Sequence, residues 1–297
     1  MGKEKQFTKS KLSKSQFDKS PLNYIGGKYK MLPQLLEFFP ENINTFVDLF
    51  AGGCDVCCNV KAKTIYANDI NNYIIDIYKT MARMEIDELL HYIETTINKE
   101  GLSKTNQEAY LSFREKYNNS ENKNPLDLYI LICFAFNHQC RFNNKHEFNS
   151  PFGKDRSSFN QNMRSNLIKF HHNIQNIKFS SFDFKCLNLN DLSSGDFLYA
   201  DPPYLISTGS YNDGKRGFKG WSETDDENLF SVLDNLNEKG VKFALSNVIK
   251  HKGLVNEKLI EWSRKYNIHY INYNYSNSNY HGKNTDKETV EVLITNY

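Results

Sequence analysis

The chain has 297 residues, enough for one large core or one core with an inserted lobe. Its 39% hydrophobic and 24% charged residues give a soluble globular balance, and a net charge of +2 neither demands nor excludes a polyanionic partner. The longest strongly apolar run, Leu128 to Phe136, falls far short of the roughly 20 residues of a membrane span.

The N-terminus has no apolar secretion-signal core, and Gln6 stands where a myristoylation motif needs Ser or Thr. A cytoplasmic protein with no membrane association is expected. Residues 1–19 are rich in Lys, Ser and Gln and read as a flexible basic tail.

From Asn44 the pattern runs strand, helix, strand. Thr45–Phe50 is a short apolar strand that ends in Ala51-Gly52-Gly53, and Thr64–Asn68 is a second strand. Ile74, Ile77, Tyr78 and Met81 then share a helical face, which makes a βαβ unit and implies parallel strands. Next comes a helical stretch. Ile86, Leu89, Leu90, Ile93 and Ile97 have helical spacing with a stop at Gly101, and Tyr110, Phe113 and Tyr117 repeat it. Pro125 opens a third helix that runs through Phe136. Residues 137–160 are a polar, irregular, basic loop.

Strands return after about residue 165: Lys178–Phe184, Asp196–Ala200, Val241–Ser246, Ile268–Tyr275 and Thr289–Tyr297. The T-D-D-E run from Thr224 to Glu227 reads as a capping box. The helix it opens has Leu229, Val232, Leu233 and Leu236 on one face and closes at Gly240. The expected architecture is one α/β domain, residues 20–84 and 165–297, interrupted by a helical lobe over 85–164.

Six cysteines include the cluster Cys54, Cys57 and Cys58. A zinc site needs a second ligand pair at suitable spacing, and none is present, so these read as small buried thiols and no metal is expected.

The strongest chemical signal is Asp201-Pro202-Pro203-Tyr204, directly after the strand Phe197–Ala200. Ligands of open α/β sheets sit beyond the carboxyl ends of the strands. The prolines fix φ and hold the preceding residues extended, so the tetrapeptide is a stiff turn that presents a carboxylate, free carbonyls and one aromatic ring. That set suits an aromatic amine, whose lone pair is delocalised. Hydrogen bonds from the amine to Asp201 and to the Pro202 carbonyl localise the pair, and the Tyr204 ring can stack on the base.

The second signal is Asp48-Leu49-Phe50-Ala51-Gly52-Gly53, where glycines let a ligand approach the backbone. It lacks the dinucleotide spacing. Asp69 ends the second strand, where an acid can bind ribose hydroxyls. The third signal, Pro21–Lys28, is a Gly-Gly-Lys turn before a helix.

Taken together, these stretches resemble the deoxyadenosine methylase (Dam-like, D12 class) family of DNA adenine methyltransferases, in the family's motif order and over nearly the whole chain after the tail. The resemblance implies a Rossmann-like methyltransferase sheet with helices on both faces and an inserted helical DNA-recognition lobe. It implies S-adenosylmethionine as cofactor, with Tyr24, Lys28, Asp48, Phe50, Gly52, Asp69, Asp183, Phe184 and Asp201 around it. It also implies that Asp201, Pro202 and Tyr204 carry catalysis. The stretches Phe136–Asn143 and Phe148–Lys154 look like the recognition loop. There Phe136 is the expected wedge, Asn137 its support, Arg141 a reader of a guanine edge and Lys154 a phosphate contact, with Gln139 and Pro151 also at the DNA.

Three departures stand out. Cys54 replaces the family's third glycine, Gln139 replaces an apolar residue of the GATC-reading members, and Asp155 replaces an aromatic one, which leaves the recognition sequence open. The expected substrate is double-stranded DNA, methylated at adenine N6 by a monomer, with a cognate restriction endonuclease as a candidate companion. N4-cytosine DNA methylation, N6-adenine RNA methylation and a non-catalytic DNA-binding relative stay open as alternatives.

Overall fold

A computed structural model describes residues 16–207, 220–271 and 289–297. The expected tail lies outside the described residues up to residue 15. Its last residues carry contacts: the Asp18 amide donates to the Asn59 side chain, and Asn173 donates to the Asp18 carboxylate.

The centre is an eight-stranded sheet. Its strands are β1 (Thr45–Asp48), β2 (Thr64–Asn68), β3 (Ile177–Ser180), β4 (Phe197–Ala200), β5 (Lys242–His251), β6 (Leu254–Val255), β7 (Asn267–Ile271) and β8 (Thr289–Thr295). The order is β3-β2-β1-β4-β5-β8-β7, with β6 beside β5. The first five are parallel, and β8 lies antiparallel to both β5 and β7.

Strands buried on both faces read as short apolar runs. Here alternate residues feed two separate cores. Phe46, Phe197, Tyr199 and Leu293 join one, and Val47, Leu198, Phe243 and Ile294 join the other. The second core is covered by α7 (Glu223–Glu238) and α8 (Glu257–Ser263).

The first core lies under α1 (Leu32–Phe38), α2 (Asn72–Arg83) and the lobe helices. These are α3 (Ile86–Lys99), α4 (Gln107–Asn119) and α5 (Pro125–Phe134). Helix α6 (Gln161–Ile174) runs across residue 165 and packs against α2 and α3. Helix α5 is buried almost all round and touches α2, α3 and α4, so the lobe and the sheet share one continuous core.

Several expected boundaries move. Helix α5 stops at Phe134 rather than Phe136, because the chain turns through left-handed Asn137 and His138, with φ of 54° and 53°. The strand expected over Lys178–Phe184 ends at Ser180, and its last residues form a 3-10 turn, Phe184–Cys186. The strand expected over Ile268–Tyr275 is β7, and residues 272–275 lie outside the described residues.

The capping box sits two residues before the expected one. The Ser222 side chain accepts the Asp225 amide, and the Asp225 carboxylate accepts the Ser222 amide. Ser-x-x-Asp and Thr-x-x-Glu overlap here, and the earlier pair closes: Asp225 turns back to Ser222 and is held there by Lys185, while Glu227 is drawn to Lys258. Among the described residues, no helix is long and apolar enough to cross a membrane.

Candidate active site

Strands β1 and β4 are parallel neighbours, with Asp48 in register with Tyr199. Their carboxyl ends therefore deliver Asp48–Gly53 and Asp201–Tyr204 side by side. The ends of β2 and β3 add Asp69 and Asp183–Phe184 from the same edge. This is where the connections diverge to left and right, the usual crevice of an open α/β sheet. A cavity of about 450 Å³ opens there, within the range of small-molecule sites. All nine residues expected around a cofactor line it, as do Pro202 and Tyr204.

The Asp201–Tyr204 tetrapeptide is tightly held. Lys28 Nζ lies 2.6 Å from Asp201 Oδ2, with little of either side chain exposed. The ammonium also donates to the Gly26 carbonyl at 3.0 Å and sits 5.2 Å from the Tyr204 ring centroid. The Tyr204 hydroxyl donates to Asp201 Oδ1 at 2.8 Å. One cation and one hydroxyl thus fix the carboxylate in a water-poor place, where such bonds are stronger than in water.

Asp48 is different. It is buried, Oδ2 accepts the Cys57 amide at 3.2 Å, and Oδ1 has no hydrogen-bond partner. Burial, and then the charge of Asp201, push its carboxyl up to about 8. Cys54, Cys57 and Cys58 pack behind this loop, and burial raises their thiols too, Cys54 to about 11, so they behave as small apolar groups.

The glycine loop is braced by Asp69. Its Oδ2 accepts the Gly52 amide at 2.8 Å, and its Oδ1 accepts the Asn71 amide at 2.9 Å. Gly52 has φ of +47°, and a Cβ there would stand 3.0 Å from the Tyr24 ring. Gly52→Ala therefore destabilises the fold by about 1–2 kcal/mol, the cost of a left-handed residue with a side chain. Urea unfolding reads this, and an unchanged midpoint would contradict the close fit. Cys54, in the place of the family's third glycine, also has positive φ, 59°.

Three residues of the site went unforeseen. The Asn68 side chain donates to the Phe182 and Leu49 carbonyls and accepts the Phe182 amide, which clamps the β3 exit to β1. Lys185 bridges Asp183 and Asp225 at 3.3 and 2.9 Å. Trp221 lines the cavity beside Phe50 and Phe184. Each touches a partner far along the chain, Phe182 for Asn68, Asp225 for Lys185 and Phe50 for Trp221, and no local pattern marks them.

The loop after α5 carries the residues expected at DNA. Phe136, Asn137, Pro151 and Lys154 are exposed, while Gln139 and Arg141 are half-buried. The Phe136 amide donates to the Pro151 carbonyl at 2.7 Å, so the two halves of the loop are tied together. Arg141 is partly engaged, with Nε and Nη2 donating to the side chain and backbone of Asn149. Asn23, in the stretch that carries Tyr24 and Lys28, donates to the Asn137 carbonyl at 2.8 Å. Loop and cavity are thereby linked.

A family model described as D12 class N6 adenine-specific DNA methyltransferase matches residues 24–277. The chain is 50% identical over 285 residues to the type II methyltransferase M.FokI of Planomicrobium okeanokoites, covering 95% of this chain and 43% of that protein. It is 50% identical over 294 residues to the modification methylase StsI of Streptococcus sanguinis, covering 96% and 44%. It is 27% identical over 278 residues to the DNA adenine methylase of Escherichia coli K12, covering 92% and 93%. The chain thus spans less than half the length of the first two relatives and nearly all of the third. On the match over most of its length and on these identities, the chain belongs to the D12 class N6 adenine-specific DNA methyltransferase family.

Proposed function

We propose that the chain transfers a methyl group from S-adenosylmethionine to N6 of adenine in double-stranded DNA. The observation that carries this reading is the convergence of Pro21–Lys28, Asp48–Gly53, Asp69 and Asp201–Tyr204 on one cavity, beside a loop with an exposed aromatic residue. The residues present fit the cofactor: a glycine turn with room for a close approach, an acid at the end of β2, and an aromatic wall at Phe50 and Phe184. Tyr24, Lys28, Asp48, Phe50, Gly52, Asp69, Asp183 and Phe184 would hold it. When bound, it supplies a sulfonium-activated methyl group.

The rest is positioning by the chain's own groups. A carboxylate has about four acceptor sites. Lys28 and Tyr204 take two of those on Asp201, which leaves capacity for an exocyclic amine. Asp201 and the Pro202 carbonyl orient the amine, and the Tyr204 ring stacks on the base. The base must leave the duplex stack to reach this edge, at a cost of a few kcal/mol. Phe136 fills the gap and Asn137 supports it. Arg141, with donors remaining beyond Asn149, faces a base edge, Gln139 and Pro151 line the same approach, and Lys154 holds a phosphate.

The lobe over residues 85–164 is the target-recognition part in this reading, and the catalytic domain acts as a monomer in the cytoplasm. The relatives are a type II methyltransferase and a modification methylase, which supports a cognate restriction endonuclease as a companion of this chain.

Labelled S-adenosylmethionine and unmethylated duplex DNA, with the product digested to nucleosides, test the reading. N6-methyldeoxyadenosine is expected. N4-methyldeoxycytidine overturns the base assignment, and no incorporation overturns the activity. Lys154→Ala should weaken DNA binding equally across sequences and reduce the salt slope by about 1. A slope unchanged between 50 and 200 mM salt (roughly the range over which phosphate contacts show) removes Lys154 from the backbone contacts.

A further inference from the structure

Trp221 stands just before α7, some 170 residues after Phe50 in the chain, yet the two rings meet. The ring centroids of Phe50, Phe184 and Trp221 form a near-equilateral triangle, 5.4 Å for Phe50–Phe184 and 5.5 Å for each of the other two pairs. All three rings line the cavity. Trp221 is edge-on to Phe50, at 80°, and inclined at 35° to Phe184.

The indole is anchored from below. Its Nε1 donates to Asp226 Oδ1 at 2.7 Å. Asp226 lies in the first turn of α7 and is fully buried, with the Asn256 side chain beside it. A buried carboxylate is costly unless it satisfies something specific, and here it fixes one indole. Beside the rings lies the polar cluster Asp183–Lys185–Asp225, which lines the same end of the cavity. Flat apolar walls with a carboxylate at the edge suit a purine: the rings cover its faces, and an acid accepts from its amine.

We infer that Trp221, held by Asp226, is the third wall of the compartment for the adenine of the cofactor and a determinant of cofactor affinity. The inference rests on the proposed function, since it takes S-adenosylmethionine as the ligand. The alternative use of the same ring is packing alone, because Trp221 also borders the second core.

The chain has two tryptophans, which makes the test specific. Trp262 lies stacked on Phe230 at 4.4 Å, in the core away from the cavity lining. S-adenosylhomocysteine and 5′-methylthioadenosine should change the tryptophan emission of the wild type, and methionine alone should not. Trp221→Phe should abolish that response, and Trp221→Ala should weaken binding of labelled S-adenosylmethionine about tenfold, as expected for loss of an aromatic wall. The loss should appear in KM for the cofactor rather than in KM for DNA. Asp226→Asn keeps an acceptor for the indole and should bind within about threefold of the wild type.

An emission response that survives in Trp221→Phe assigns the signal to Trp262 and overturns the inference. So does a Trp221→Ala protein that melts earlier yet binds the cofactor as tightly as the wild type. If wild-type protein fails to bind labelled S-adenosylmethionine at all, the proposed function falls, and this inference with it.

Discussion

Asp201→Ala is expected to lower methyl transfer on the order of a thousandfold, the scale of losing one preorganised polar contact to the reacting group. The same substitution lowers stability. Lys28 is buried, and its ammonium would lose the carboxylate 2.6 Å away. Breaking a buried ion pair by removing one partner costs about 3 kcal/mol or more, since a desolvated charge is left behind. The carbonyl of Gly26 remains as an acceptor but does not neutralise the charge.

The two losses have different origins and can be separated. Adding Lys28→Met to Asp201→Ala removes the stranded charge, so urea unfolding should recover most of the lost stability. Methylation should not recover, because the acceptor for the amine is still missing. Asp201→Asn gives the intermediate case, with an acceptor kept and the negative charge gone. Single-turnover rates and unfolding midpoints across the three variants decide the matter. An Asp201→Ala protein that methylates within tenfold of the wild type removes Asp201 from catalysis. A double variant no more stable than the single one shows that Lys28 and Asp201 are not the coupled pair described.

Parts of this site were readable in the sequence for physical reasons. The central strands β1, β4 and β5 are buried on both faces over most of their length and therefore appear as short apolar runs, and the carboxyl ends of β1 and β4 carry residues that line the cavity. Two consecutive prolines after β4 leave few conformations, so the Asp201 turn announces itself. Other parts stayed hidden. Helix α6 buries Leu167, Phe170, His171 and Ile174, a helical stripe broken to the eye by a histidine. That histidine is accommodated because its Nε2 lies 2.8 Å from the Met84 carbonyl, a contact 87 residues away. Helices α1 and α8, of seven residues each, are too short for a clear period. The overlapping capping boxes at Ser222 and Thr224 are equal by spacing, and tertiary partners separate them, Lys185 holding Asp225 at the helix start and Lys258 drawing Glu227 away. The same holds for Asn68, Lys185 and Trp221, whose roles exist only once distant strands are side by side.

Asp48→Asn should stabilise the protein at pH 8 by about 2–4 kcal/mol and leave it nearly unchanged near pH 4.5. In the unfolded chain this carboxyl titrates near its ordinary value of 3.8, and in the fold it holds its proton to about 8. Between those values the folded state binds a proton that the unfolded state has released. Stability contributed by this group is therefore present below about pH 4, is lost as pH rises toward 8, and is level above. An amide carries no charge at any of these pH values, so the variant lacks that slope. Its oxygen can accept the Cys57 amide as Asp48 Oδ2 does, and its NH₂ takes the place of the unpartnered Oδ1. Unfolding by urea at pH 5, 6.5 and 8 gives the comparison, and parallel curves for the two proteins would show that Asp48 is ionised in the fold. A neutral Asp48 has a consequence for the site itself. Asp48 and Asp201 stand on adjacent strand ends, and Lys28 is the cation paired with Asp201. With the Asp48 proton kept, that pair is balanced, and the Asp201 carboxylate, which the proposed function sets against the amine, does not face a second negative charge.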